Sequence, residues 1–239
     1  LVVHRDTALQ ERAEACGVER LRQVARDLVW KLGRPLLQEG RHALLLVGGG
    51  EQRPRQGWVF HDRYLVLFVA PLRLSLLPVL FGRASFADSL VWDARRGTEV
   101  IVVPLDAPAS PVRFTTDAFW AWHIGNAFLR GGEIVIDLVH YPDFPSTHEW
   151  LSDVSRGGPK SDANGYLSRT VIDPRKRTLQ HDLLRERTGE FPRVAPEDAG
   201  LPRRHTVFVG GYDGQRPFAR SVGVWDWDAG RADSFDFGP

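Results

Sequence analysis

Hydrophobic and polar positions divide the chain into two textures. In residues 6–38, Leu9, Ala13, Cys16, Leu21, Val24, Leu28 and Leu32 recur near the helical repeat among Arg and Glu, which predicts an amphipathic helix interrupted at Gly33, Arg34 and Pro35. After His42 the apolar residues come in short bursts, partly alternating, between Gly, Pro and Asp at turn positions. The clearest predicted strands are Tyr64–Val69, 99–104, 118–123, 133–139 and 206–209, with weaker ones at 166–172 and 221–225. The connectors 93–97, 130–132, 173–177 and 226–230 carry turn formers, and the polar, Gly-rich stretch 152–165 reads as a long loop. The pattern predicts a helical segment over residues 1–42 followed by a mainly β unit over 43–239, a sandwich, barrel or propeller. Val91-Trp92-Asp93 and Val224-Trp225-Asp226, each leading into a turn that ends on Gly, favour the propeller. Neither the Gly-His dipeptide nor the regular period of WD repeats is present.

Composition narrows the chemistry. A chain of 239 residues, 43% hydrophobic and 26% charged, can bury a sizeable core. With 31 Lys+Arg against 30 Asp+Glu and no basic block, nothing points to nucleic acid. The single cysteine, Cys16, excludes an internal disulfide and a Cys-based zinc cage, and fits a soluble protein of the reducing cytoplasm. No apolar run approaches the roughly 20 residues of a spanning helix. The apolar stretch 72–81, broken by Arg73 and Pro78, is either core or a patch for substrate entry or peripheral membrane contact. Gly48-Gly49-Gly50 lacks the Lys-Ser/Thr of a phosphate loop, and no nucleophile elbow is found. Asp88, Asp93, Asp137, Asp143 and Asp228 could supply a carboxylate pair, but most are placed at turns, where solvent and backbone capping account for them.

Eight histidines beside one cysteine make a His-based metal site the first chemistry to test. They are scattered, with no pair at the one-face spacing of a zinc-protease helix, but a propeller can send one side chain per blade to its axis. The most unusual context is residues 119–128, Phe-Trp-Ala-Trp-His-Ile-Gly-Asn-Ala-Phe, where His123 closes an aromatic run and precedes Asn-Ala-aromatic. This phrase resembles the iron-ligand signature of the carotenoid oxygenase family, enzymes that cleave carotenoids, apocarotenoids and stilbenes. Tyr64-Leu65-Val66-Leu67-Phe68 with Ala70-Pro71-Leu72, the stretch 92–106, Glu133-Ile134-Val135-Ile136-Asp137, Tyr166-Leu167-Ser168-Arg169 and Gly189-Glu190-Phe191-Pro192-Arg193 resemble further family signatures in the family's order. Arg203, Arg204 and His205 stand where the family has Arg and an aromatic. The resemblance runs from about Trp58 to Pro239; residues 1–42 have no match in it.

The resemblance implies an incomplete seven-bladed propeller. In the family, four histidines hold one Fe(2+) on the axis and glutamates fix three of their rings, so that O2 cleaves a conjugated C=C bond of an apolar polyene or stilbene. His123 corresponds to the third iron ligand, and Glu190 to a glutamate that orients a ligand ring. Two alignments compete for the second ligand: a four-residue deletion before Tyr64 makes it His61, whereas an ungapped alignment puts Gln56 there. The family's first histidine phrase has no counterpart, its last histidine would follow Pro239, and Leu129 replaces a usual Glu. The chain is therefore expected to be a piece of a longer dioxygenase, with a noncatalytic propeller-like binding module that has lost its metal as the alternative.

Overall fold

Apolar bursts long enough for one strand, separated by turn formers, leave the backbone no route to bury its polar groups except by pairing with sequence neighbours. The computed structural model describes residues 58–60, 63–158, 165–210 and 220–238. The helix expected over residues 6–38 lies outside them, as do Gln56 and His61. The result is mainly β. One sheet orders β1 (Trp58–Phe60), β2 (Tyr64–Val69), β5 (Thr98–Pro104) and β6 (Val112–Thr116). Between β2 and β5 come a small hairpin, β3 (Leu72–Leu74) with β4 (Leu90–Trp92), and the short helix Leu76–Leu80.

A second sheet is an antiparallel meander of seven strands in sequence order. It comprises β7 (Ile124–Arg130), β8 (Glu133–His140), β9 (Tyr166–Asp173), β10 (Thr178–Arg193), β11 (His205–Gly210), β12 (Ser221–Asp226) and β13 (Arg231–Asp236). Strand β10 has 16 residues and serves two partners: its first part pairs with β9 through Thr178–Leu183, and its last part pairs with β11 from Gly189 to Arg193. The meander thereby forms two four-stranded blades that share one strand.

The core lies between the sheets. Val66, Val100 and Val102 of the first pack with Ile124, Ala127, Ile134, Ile136, Leu138 and Ile172 of the second. Strand β8 is buried on both faces from Ile134 to Val139, which explains why its sequence is apolar at every one of these positions but Asp137 instead of alternating. Each such side chain contributes about 1.5–3 kcal/mol of burial.

Two expectations are corrected, and an open one is narrowed. Residues 118–123 form no strand: Trp120 makes an isolated bridge to Tyr141, with backbone bonds of 2.9 and 2.8 Å, and the ladder resumes only at Ile124 opposite Leu138. Three residues lie between the two pairs on one side and two on the other, so the extra residue bulges and breaks the pairing. The loop expected over 152–165 begins later, because the helix Pro145–Ser155 runs into it. In the stretch 72–81, Leu72 is buried but Leu77, Leu80 and Phe81 are 67%, 75% and 71% exposed, so the helix presents apolar side chains outward and is not core.

Candidate metal-ligand site

His123 sits on the bulged approach to β7, its carbonyl accepting a bond from Val139 N at 3.0 Å. The register shifts again between Ile124 and Asn126. Gly125 occupies that irregularity because Pro192 crosses it: a Cβ there would lie 2.8 Å from Pro192 Cβ. On the opposing segment β10 has its own irregularity between Glu190 and Arg193, and Phe191 takes a left-handed backbone with φ 52°. A left-handed non-glycine residue costs about 1–2 kcal/mol. Two facing bulges thus bring together residues 67 positions apart: His123 Nδ1 lies 2.6 Å from Glu190 Oε2.

Glu190 is held at both oxygens. Oε2 also accepts from Phe191 N at 3.1 Å, and Oε1 accepts from the Tyr141 hydroxyl. The Phe191 ring lies 4.3 Å from the His123 ring. Oε2 accepts from Phe191 N and so acts as the acceptor here; an imidazole with a single proton that bonds it carries that proton on Nδ1 and turns the Nε2 lone pair away from the acid. Among the described residues none hydrogen-bonds Nε2, and the His123 side chain is 24% exposed. A ring nitrogen fixed by a carboxylate with the other left free is the arrangement of a metal-ligating histidine. No group of three or more His, Cys, Asp or Glu that could hold a metal occurs among the described residues.

Two polar clusters were not foreseen as clusters, although Asp137, Arg169 and Arg203 stand in phrases that resemble the family. Asp137, far from the turn placement expected of these aspartates, is fully buried in the middle of β8 opposite Arg169. Arg169 Nε and Nη2 reach its two oxygens at 2.8 and 3.0 Å, and Thr206 Oγ1 donates to Oδ2 at 2.9 Å. Trp227 Nε1 donates to Thr206 Oγ1 at 2.8 Å while its ring lies 4.4 Å from the guanidinium. Arg203 contributes its carbonyl to Arg169 Nη2, and Arg204 and His205 both meet Asp226. The second cluster sets His181 against Phe119 and His140, with His181 Nδ1 2.8 Å from Thr170 Oγ1 and Nε2 buried without a hydrogen bond among the described residues. Burial, then the neighbouring His140, lowers the His181 pKa to about 3. A charged imidazole loses its hydration there, so this ring stays neutral.

The family described as retinal pigment epithelial membrane protein, RPE65, matches residues 58–239. The chain belongs to this carotenoid oxygenase family. Apocarotenoid-15,15'-oxygenase of Synechocystis is 29% identical over 147 residues, covering 62% of this chain and 29% of that protein. Isoeugenol monooxygenase of Pseudomonas putida is 28% identical over 152 residues, covering 57% of this chain and 30% of that protein. The crystal structure of cobalt-substituted Synechocystis apocarotenoid oxygenase superposes with a TM-score of 0.65 at 25% identity, over 76% of this chain and 38% of that one. The chain spans less than two-fifths of the length of these carotenoid oxygenase relatives. The fold is the expected one, an incomplete β-propeller-like carotenoid oxygenase fold. Of the predicted site residues, His123 and Glu190 are in contact, and His61 lies outside the described residues.

Proposed function

We propose that this chain is part of a nonheme iron(II) dioxygenase that cleaves a conjugated C=C bond of a carotenoid, apocarotenoid or stilbene with O2. The contact that carries the reading is His123 Nδ1 on Glu190 Oε2 at 2.6 Å, which fits one imidazole ligand of an iron ion. Ferrous iron, when bound, would supply an electron-donating centre with positions open to O2. The chain's own residues hold and orient: Glu190 keeps the proton on Nδ1 and aims Nε2, and Phe191 N and Tyr141 hold the carboxylate. His61 is the second ligand in this reading. Leu77, Leu80, Phe81 and Phe86, all more than half exposed, form an apolar surface suited to a lipid-borne substrate or peripheral membrane contact.

Leu129 favours a second reading, a noncatalytic binding module without metal. It packs as a partly buried apolar residue against the core, where the resemblance calls for Glu. One experiment separates the two. The full chain is loaded anaerobically with Fe(2+), its bound iron is measured, and loss of polyene absorbance with an apocarotenoid is followed on admitting O2. Stoichiometric iron, at least a tenfold weaker iron affinity in His123→Ala and O2-dependent bleaching support the dioxygenase. Absence of iron binding by the unsubstituted chain supports the module.

A further inference from the structure

We infer that Tyr141 is a positioning residue that sets the His123 ring by locking the plane of the Glu190 carboxylate, an inference resting on His123 as an iron ligand. A terminal carboxylate torsion is soft, so a glutamate held at one oxygen can still swing. His123 and the Phe191 amide both engage Oε2. Tyr141 alone among the described residues holds Oε1. Without its hydroxyl the carboxylate pivots about Oε2, and the imidazole that hangs from it loses a fixed orientation.

The phenol is itself fixed at its backbone, its ring and its hydroxyl. Tyr141 is 5% exposed. Its backbone is pinned by the reciprocal bridge to Trp120, three residues before His123. Its ring lies over Gly165, where a Cβ would come within 2.5 Å of Cζ and 2.7 Å of the hydroxyl oxygen. Gly165 in turn accepts from Gly189 N at 3.1 Å, immediately before Glu190. The segment that makes room for the phenol therefore also anchors the backbone of the acid.

Tyr141→Phe removes one oxygen and keeps the ring, so packing is retained. In the full chain, labelled with 15N at histidine and freed of metal, the two-bond proton–nitrogen correlations of the His123 ring report its tautomer, the signal being assigned by its loss in His123→Ala. The unsubstituted protein is expected to show the Nδ1–H form alone. Tyr141→Phe is expected to show the Nε2–H form as well, and a Zn(2+) dissociation constant raised about tenfold, at the lower end of the effect of outer hydrogen-bond partners. A single Nδ1–H tautomer in Tyr141→Phe, or Zn(2+) affinity within twofold of the unsubstituted chain, overturns the inference. Failure of the unsubstituted chain to bind Zn(2+) counts against the iron reading, while the metal-free tautomer comparison still decides the role of Tyr141.

Discussion

Two acids of this fold are gripped across strands, and their surroundings differ in one respect that matters. Asp137 meets Arg169 and Thr206, Arg169 meets Arg203 O and the Trp227 face, and Trp227 returns to Thr206, so the network closes on itself. Glu190 is equally well held, but its chain of contacts ends on an imidazole whose second nitrogen meets no described residue. Burial of a charge marks neither cluster as chemical. Unused bonding capacity on a fixed, partly open side chain separates a site from a structural clamp.

The same change of carboxylate to amide should give losses of very different size in the two clusters. Asp137→Asn leaves the Arg169 charge buried without its counter-ion, and urea unfolding is expected to show a loss of about 3–5 kcal/mol. A loss under about 1 kcal/mol would mean that the network is looser than its distances. His181 tests the intermediate case, a buried ring with no carboxylate partner. Its folded pKa of about 3 lies below the unfolded 6.5, so the unfolded chain takes up a proton first as pH falls. Its contribution is intact above about pH 6.5 and is lost toward pH 3, at up to about 1.4 kcal/mol per pH unit. Between pH 6.5 and 5, His181→Gln should abolish about 2 kcal/mol of acid-induced destabilisation; an unchanged slope would show that the ring is hydrated. Glu190→Gln should cost least, about 1 kcal/mol or less. The amide can turn its carbonyl to His123 and Phe191 N, and its NH2 to the Tyr141 oxygen. Equal losses in Asp137→Asn and Glu190→Gln would break the comparison.

The fold was legible where one strand carries a continuous or alternating apolar run, as at Tyr64–Val69 and in the buried stretch of β8. It was not legible at β13, whose sequence Arg-Ala-Asp-Ser-Phe-Asp sits largely exposed and is held by pairing with β12. Nor was it legible at 118–123, where the aromatic run promised a strand and the register did not allow one. At the site, the phrases around His123 and Glu190 name both residues, but their approach depends on two backbone irregularities that no spacing reveals. Tyr141 gave no local cue and Arg169 only a phrase without a role, since each acquires its role from a partner at least 32 residues away.

The double duty of β10 bears on how such a protein can change over time. Glu190 belongs to the part of β10 paired with β11, whereas His123 leads into β7 at the far side of the preceding blade. Exchange of a single blade between relatives would inherit the histidine from one parent and the acid from the other, with the shared strand cut between them. The smallest heritable module that keeps the pair intact is the blade β7–β10 with the shared strand whole.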